Sequence, residues 1–165
     1  MSHGGAGLEC AQTVAELLRA ARAALDAQDA RIDSELLLAH VLERARSYLF
    51  AHPEAVVTAT QCAAYRALIA RRRDGEPLAY LVGRQEFWSL ELTLDGSTLV
   101  PRPETELLVE LALERLGAAP ARVLDLGTGS GAIALALASE RPQWQVLGID
   151  RDPRALALAA ANAAR

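Results

Sequence analysis

Lysine is absent from this chain, and all 17 of its basic residues are arginine. A Walker A phosphate loop needs lysine, as does Schiff-base chemistry, so both are excluded. Cysteine is nearly absent. Cys10 and Cys62 stand far apart with no second cysteine nearby, which argues against a zinc site, a C-x-x-C redox pair and a disulfide framework. The histidines, His3, His40 and His52, are not at metal-ligand spacing. Aromatic residues are only 4% of the chain, so each must serve the core. Long apolar runs are missing too. Charges interrupt every helical stretch well short of the ~18 residues a membrane span needs, and Met1 to Gly7 carry neither the basic nor the apolar region of a secretory signal. No membrane association and a cytoplasmic location are expected. The net charge of −4 gives no electrostatic reason to expect direct nucleic-acid binding.

What remains is sufficient for a core. Of 165 residues, 52% are hydrophobic and 23% charged, with a mean hydropathy of +0.12. The length corresponds to one or one and a half domains. Residues 8–83 read as a helical bundle. Thr13 to Gln28 opens with Thr-Val-Ala-Glu, a capping box, and places Val14, Leu17, Leu18, Ala21 and Leu25 on one face. A second helix starts near Asp33 and is expected to bury Leu36, Leu37, Ala39 and Val41. Tyr48, Leu49 and Phe50 form an apolar knot before Pro53. A third helix, with a second capping box at Thr58, turns Tyr65, Leu68 and Ile69 inward. It ends at Arg71-Arg72-Arg73, where Gly75 and Pro77 stop it.

The pattern changes at Gly83. Leu90, Leu92 and Leu94 alternate with polar residues, the period of a half-buried strand. Asp95-Gly96 is a turn signal, so residues 84–100 read as a β-hairpin linker whose second strand is Thr98 to Val100. Residues 101–165 begin an α/β domain. Pro103 opens a helix whose apolar face carries Leu107, Leu108 and Leu111. Val123 to Leu126 reads as a buried strand, Gly127-Thr128-Gly129-Ser130-Gly131 as a glycine turn and Ala132 to Glu140 as a helix. Gln145 to Ile149 reads as the next strand, and Asp152-Pro153 starts another helix. That order is a right-handed βαβ unit with parallel strands.

A strand that runs through glycines into a helix lets a ligand approach the backbone and meet the helix N-terminus. Asp150, at the end of the second strand, faces the same crevice, and a carboxylate there can accept hydrogen bonds from a ribose diol. Gly127 to Ala132 fits the dinucleotide fingerprint G-x-G-x-x-G/A, which alone is a weak signal. Asp125 discriminates. A pyrophosphate beside it would meet like charge, whereas S-adenosyl-L-methionine brings an ammonium and a sulfonium. S-adenosylmethionine is therefore favoured, with Asp125, Gly127, Thr128, Gly129, Ser130, Gly131 and Asp150 as cofactor-binding candidates. An NAD-dependent oxidoreductase is the alternative. Blander readings stay open: a ligand-free tight turn, Asp125 as a cap, Asp150 as a turn residue, and Arg71 to Arg73 as a solvated helix end.

Val123 to Ala138 resembles motif I of class I methyltransferases. More narrowly, the chain resembles the protein-glutamine N5-methyltransferases that modify peptide chain release factors. The further segments that carry this likeness are Glu76-Pro77-Leu78-Ala79-Tyr80-Leu81 with Gly83, Glu86-Phe87-Trp88, and Val100-Pro101-Arg102-Pro103-Glu104-Thr105-Glu106. The resemblance implies an N-terminal helical substrate-docking domain, then the first part of a Rossmann-like class I methyltransferase core with an incomplete parallel sheet. It implies methyl transfer to the glutamine of a Gly-Gly-Gln loop, release factors as protein partners, and a monomer. The family's Asn-Pro-Pro-Tyr motif has no counterpart. The one asparagine, Asn162, is followed by Ala163-Ala164-Arg165, so no residue of this chain is a catalytic candidate, no metal is implied, and the chain by itself is expected to be inactive. A ribosomal-protein glutamine methyltransferase and a non-catalytic binding module are the remaining alternatives.

Overall fold

A computed structural model describes residues 12–25 and 30–165. His3, Cys10, the expected domain start at residue 8 and the expected helix end at Gln28 lie outside the described residues. The chain divides into two compact units, 1–82 and 83–165.

In the first unit the order is β1 (Gln12–Thr13), α1 (Val14–Ala24), α2 (Ala30–Leu42), α3 (Arg46–Ala51), β2 (Val56–Val57), α4 (Ala59–Arg73) and α5 (Leu78–Val82). β1 and β2 pair antiparallel, Gln12 opposite Val57. Both expected capping boxes form. Thr13 Oγ1 accepts from the Glu16 N–H and Glu16 returns the bond to the Thr13 N–H, while Thr58 and Gln61 do the same for α4. Each such cap contributes about 1 kcal/mol. The core gathers Val14, Leu17, Leu18, Leu25, Leu37, Leu38, Leu49, Val57, Tyr65 and Ile69.

α2 departs from its expected face. Leu36 and Val41 are only half-buried, whereas Asp33, Ser34 and Glu35 are buried with Leu37, Leu38 and Ala39. The cause is charge pairing across the unit. Glu35, with its side chain fully inside, accepts from Arg22 at 2.8 Å, Arg31 at 3.2 Å and Arg46 at 2.7 Å. Arg72 donates to Asp33 at 2.7 Å, and the Tyr65 hydroxyl donates to the Ser34 carbonyl at 3.0 Å. Burial pushes the Glu35 carboxyl up, but the guanidinium bonds from Arg46 and Arg31 outweigh it and hold it below its ordinary value.

The second unit runs β3 (Arg84–Phe87), β4 (Leu90–Thr93), a 3-10 turn (Pro103–Thr105), α6 (Glu106–Leu116), β5 (Arg122–Leu126), α7 (Ala132–Glu140), β6 (Gln145–Ile149) and α8 (Pro153–Ala163). The hairpin differs from expectation. β4 pairs with β3 before it, Phe87 opposite Leu90, and not with a strand after Asp95-Gly96. Its loop is Trp88-Ser89, with φ of 52° and 61°, the left-handed pair of a type I′ turn. Two bonds hold the tryptophan there: its backbone N–H donates to Glu106 at 2.8 Å and its indole N–H to Glu140 at 2.8 Å. Phe87 and Leu92 then enter the same core as Val109, Ala136, Leu137 and Trp144, so the hairpin packs within this unit.

β5 and β6 pair in parallel, Asp125 opposite Gly148, as the βαβ pattern requires. They are not buried on both faces. Val123 and Val146 pack toward α7, while Leu124, Leu126, Leu147 and Ile149 are 54%, 70%, 61% and 43% exposed. Side chains alternate along a strand, so helices on one side leave the other set bare. α6 likewise buries Val109 rather than Leu107 and Leu108, both of which are exposed.

Candidate functional site

The turn between β5 and α7 reverses the chain through three left-handed glycines: φ is 76° at Gly127, 55° at Gly129 and 85° at Gly131. L side chains avoid this region, so the residue type follows from the backbone. The turn is also tied to the end of β6. The Gly127 and Thr128 N–H groups both donate to the Ile149 carbonyl, at 2.8 and 2.9 Å, and the Gly131 N–H donates to Thr128 at 2.8 Å.

Two carboxylates flank the turn. Asp150 accepts from the Gly129 N–H at 3.0 Å on one oxygen and from the Asp152 N–H at 3.0 Å on the other. Those amides, Asp152 first and Gly129 second, hold its carboxyl below the ordinary range, so it is an anion at neutral pH. Asp125 accepts from the Thr128 hydroxyl at 2.8 Å. Thr128 is itself fixed by a neighbour that sequence reasoning missed. A Cβ on Gly148 would lie 2.7 Å from Thr128 Oγ1 and 3.0 Å from its Cβ. Only the bare backbone of glycine leaves room for the threonine to reach Asp125. No local signal marks that need, because Gly148 sits in an ordinary strand conformation.

A cavity of about 420 Å³ opens over the turn. Asp125, Gly127, Thr128, Gly129, Ser130 and Asp150 all line it. Gly131 does not. A Cβ there would meet Leu135 at 3.2 Å and Ala159 at 3.3 Å, so its smallness serves the packing of α7 on α8. The lining also includes the segment that follows β4, Ser97 to Arg102, with Thr105 from the 3-10 turn. Arg102 belongs to this segment. It makes no ion pair among the described residues. Trp88 is bonded to Glu106 and Glu140 within the same unit.

The arrangement is suited to a ligand with a cation and a diol. The two carboxylates put two negative charges around the turn, and one of its N–H groups is already taken by Asp150. Both facts disfavour a pyrophosphate over the glycines. Among the described residues no group of His, Cys, Asp and Glu could hold a metal, and no helix is long and apolar enough to cross a membrane.

Comparison with known proteins gives matches at both ends of the chain. Residues 16–83 match the family model described as the PrmC N-terminal domain, and residues 119–165 match a methyltransferase domain. A release factor glutamine methyltransferase of Escherichia coli is 54% identical over 147 residues, 88% of this chain and 53% of the relative. Enzymes of the same name from Vibrio cholerae and Xylella fastidiosa are 54% and 52% identical over 134 residues each, 81% of this chain and 47% and 49% of the relatives. The chain spans about half the length of the curated relatives it matches. Over that stretch it is similar to release factor glutamine methyltransferases.

Proposed function

We propose that the second unit holds S-adenosylmethionine and that the chain serves, as part of a protein-glutamine methyltransferase, the methylation of the side-chain amide of a release factor glutamine. The observation that carries the cofactor half is the pair of carboxylates, Asp125 and Asp150, on either side of the glycine turn. Asp150 would accept from the ribose hydroxyls with the lone pairs its two amide bonds leave free. Asp125, oriented by Thr128, would sit near the ammonium of the amino-acid arm. Gly127 and Gly129 would admit the ligand close to the backbone, and Ser97 to Arg102 would close over it. Bound there, the cofactor supplies a methyl group on a sulfonium, activated toward a nitrogen nucleophile. The substrate half rests on relatives named for release factor glutamine and on the match of residues 16–83 to the PrmC N-terminal domain.

Calorimetric titration of the chain with S-adenosylhomocysteine and, separately, with NAD tests the cofactor. Micromolar binding of the first with none of the second is expected, and the reverse result refutes the proposal. Asp150→Ala should weaken binding by about 1–3 kcal/mol, the range for hydrogen bonds to a charged group. Retention of a release factor on the immobilised chain tests the partner. Failure of two different release factors to bind would remove the substrate half.

A further inference from the structure

Asn162, on α8, is 7% exposed, and every hydrogen-bonding atom of its side chain is used. Its Oδ1 accepts from the Thr93 N–H at 2.8 Å, and its Nδ2 donates to the Thr93 carbonyl at 3.1 Å and the Ser130 carbonyl at 2.9 Å. One amide thus completes the edge of β4 as another strand would, and also takes a carbonyl of the glycine turn. Those two attachment points lead to different segments of the cavity lining. Beyond Thr93 the chain passes through buried Leu94 into Ser97 to Arg102, the roof, while Ser130 belongs to the floor. The walls come close: a Cβ on Gly129 would lie 3.8 Å from the Thr98 Cβ. α8 also abuts the floor directly, through Ala159 against Gly131.

We propose that Asn162 is a positioning residue for the crevice, tying its floor to its roof through a single amide and so setting the width open to a ligand. This rests on the reading of the crevice as the cofactor site and adds a residue outside it. Three replacements show what the amide supplies. Aspartate would keep the acceptor for Thr93 but turn an oxygen toward two carbonyls, glutamine would overshoot by a methylene, and leucine would strand three backbone groups.

The test compares the chain with Asn162→Asp and Asn162→Leu by amide hydrogen exchange in NMR, then by titration with S-adenosylhomocysteine. Exchange at Thr128, Gly129 and Gly131 should speed up about tenfold or more relative to amides in α6, and affinity should fall about tenfold, the scale of one buried hydrogen bond. In the Asp variant the Thr93 N–H keeps its acceptor, so its exchange should change less than that of the turn. A change shared equally by α6 and the turn would mean general destabilisation and would overturn the proposal, as would turn amides left unchanged. If the unmodified chain does not bind S-adenosylhomocysteine, the cofactor reading falls, and the exchange pattern alone decides this one. If neither variant folds, the unmodified chain decides. The side-chain amide protons of Asn162 should exchange as slowly as the turn amides, and fast exchange there refutes the tie.

Discussion

Replacing Gly148 with alanine adds one carbon, and the structure states where it would go. It would lie 2.7 Å from Thr128 Oγ1, 3.0 Å from Cβ and 3.1 Å from Cγ2, so the whole threonine side chain is in the way. Thr128 is 8% exposed and anchored to Asp125, so it cannot rotate aside without losing that bond. Overpacking of this kind costs about 1–3 kcal/mol, and the lost hydrogen bond adds about 1 kcal/mol. The expected destabilisation is therefore about 2–4 kcal/mol, confined to the second unit. Urea unfolding followed by tryptophan fluorescence reports on that unit alone, since the two tryptophans are Trp88 and Trp144. The decisive measurement is the same substitution in a Thr128→Gly background, where the three atoms nearest the new carbon are gone. There it should cost less than about 1 kcal/mol. Equal costs in both backgrounds would show that the clash is not the reason for glycine.

Further outcomes follow from the first unit and the hairpin. Glu35→Gln should destabilise the first unit by about 3 kcal/mol, since it leaves guanidiniums around a buried group that no longer neutralises them; a change below about 1 kcal/mol in the denaturant midpoint by circular dichroism would count against it. The Glu35 carboxyl lies below its ordinary value in the folded chain. Its contribution is thus fully present above the unfolded carboxyl's pKa and is lost as pH falls through the lower folded one. The acid unfolding limb should flatten in Glu35→Gln, and an unchanged limb would place the acid sensitivity elsewhere. Ser89→Gly should stabilise the second unit by about 0.5–1 kcal/mol by relieving a left-handed residue at φ 61°; a lower urea midpoint would mean the serine makes an unsuspected contribution.

Legibility tracked the range of the forces. The capping boxes at Thr13 and Thr58, the left-handed glycines and the parallel pairing of β5 with β6 are local or nearly so, and their residue patterns announce them. Asp125, the turn and Asp150 could be placed in one crevice because strand ends in a βαβ unit face the same way. The hairpin register could not. Asp95-Gly96 is a strong turn signal, yet Trp88-Ser89 made the turn, through bonds to Glu106 and Glu140 that lie far along the chain. Burial of Glu35 was hidden for the same reason, since its partners come from α1, from its own helix and from α3. Gly148 and Asn162 carry no local mark at all. Their roles exist only once β6 lies under the turn and α8 lies against β4.

The parallel pair β5 and β6 has a bare apolar side, and among the described residues each strand has only one neighbour. Its outer N–H and C=O groups are therefore an unspent template onto which another extended segment can zip, registering its own leucines against Leu124 and Leu147. Where no further segment covers it, that template can meet copies of itself at preparative concentration, and sedimentation of these 165 residues alone should then show association that dilution reverses. Calorimetry on this chain is best done in the dilute regime, where heat of binding is not confused with heat of dissociation.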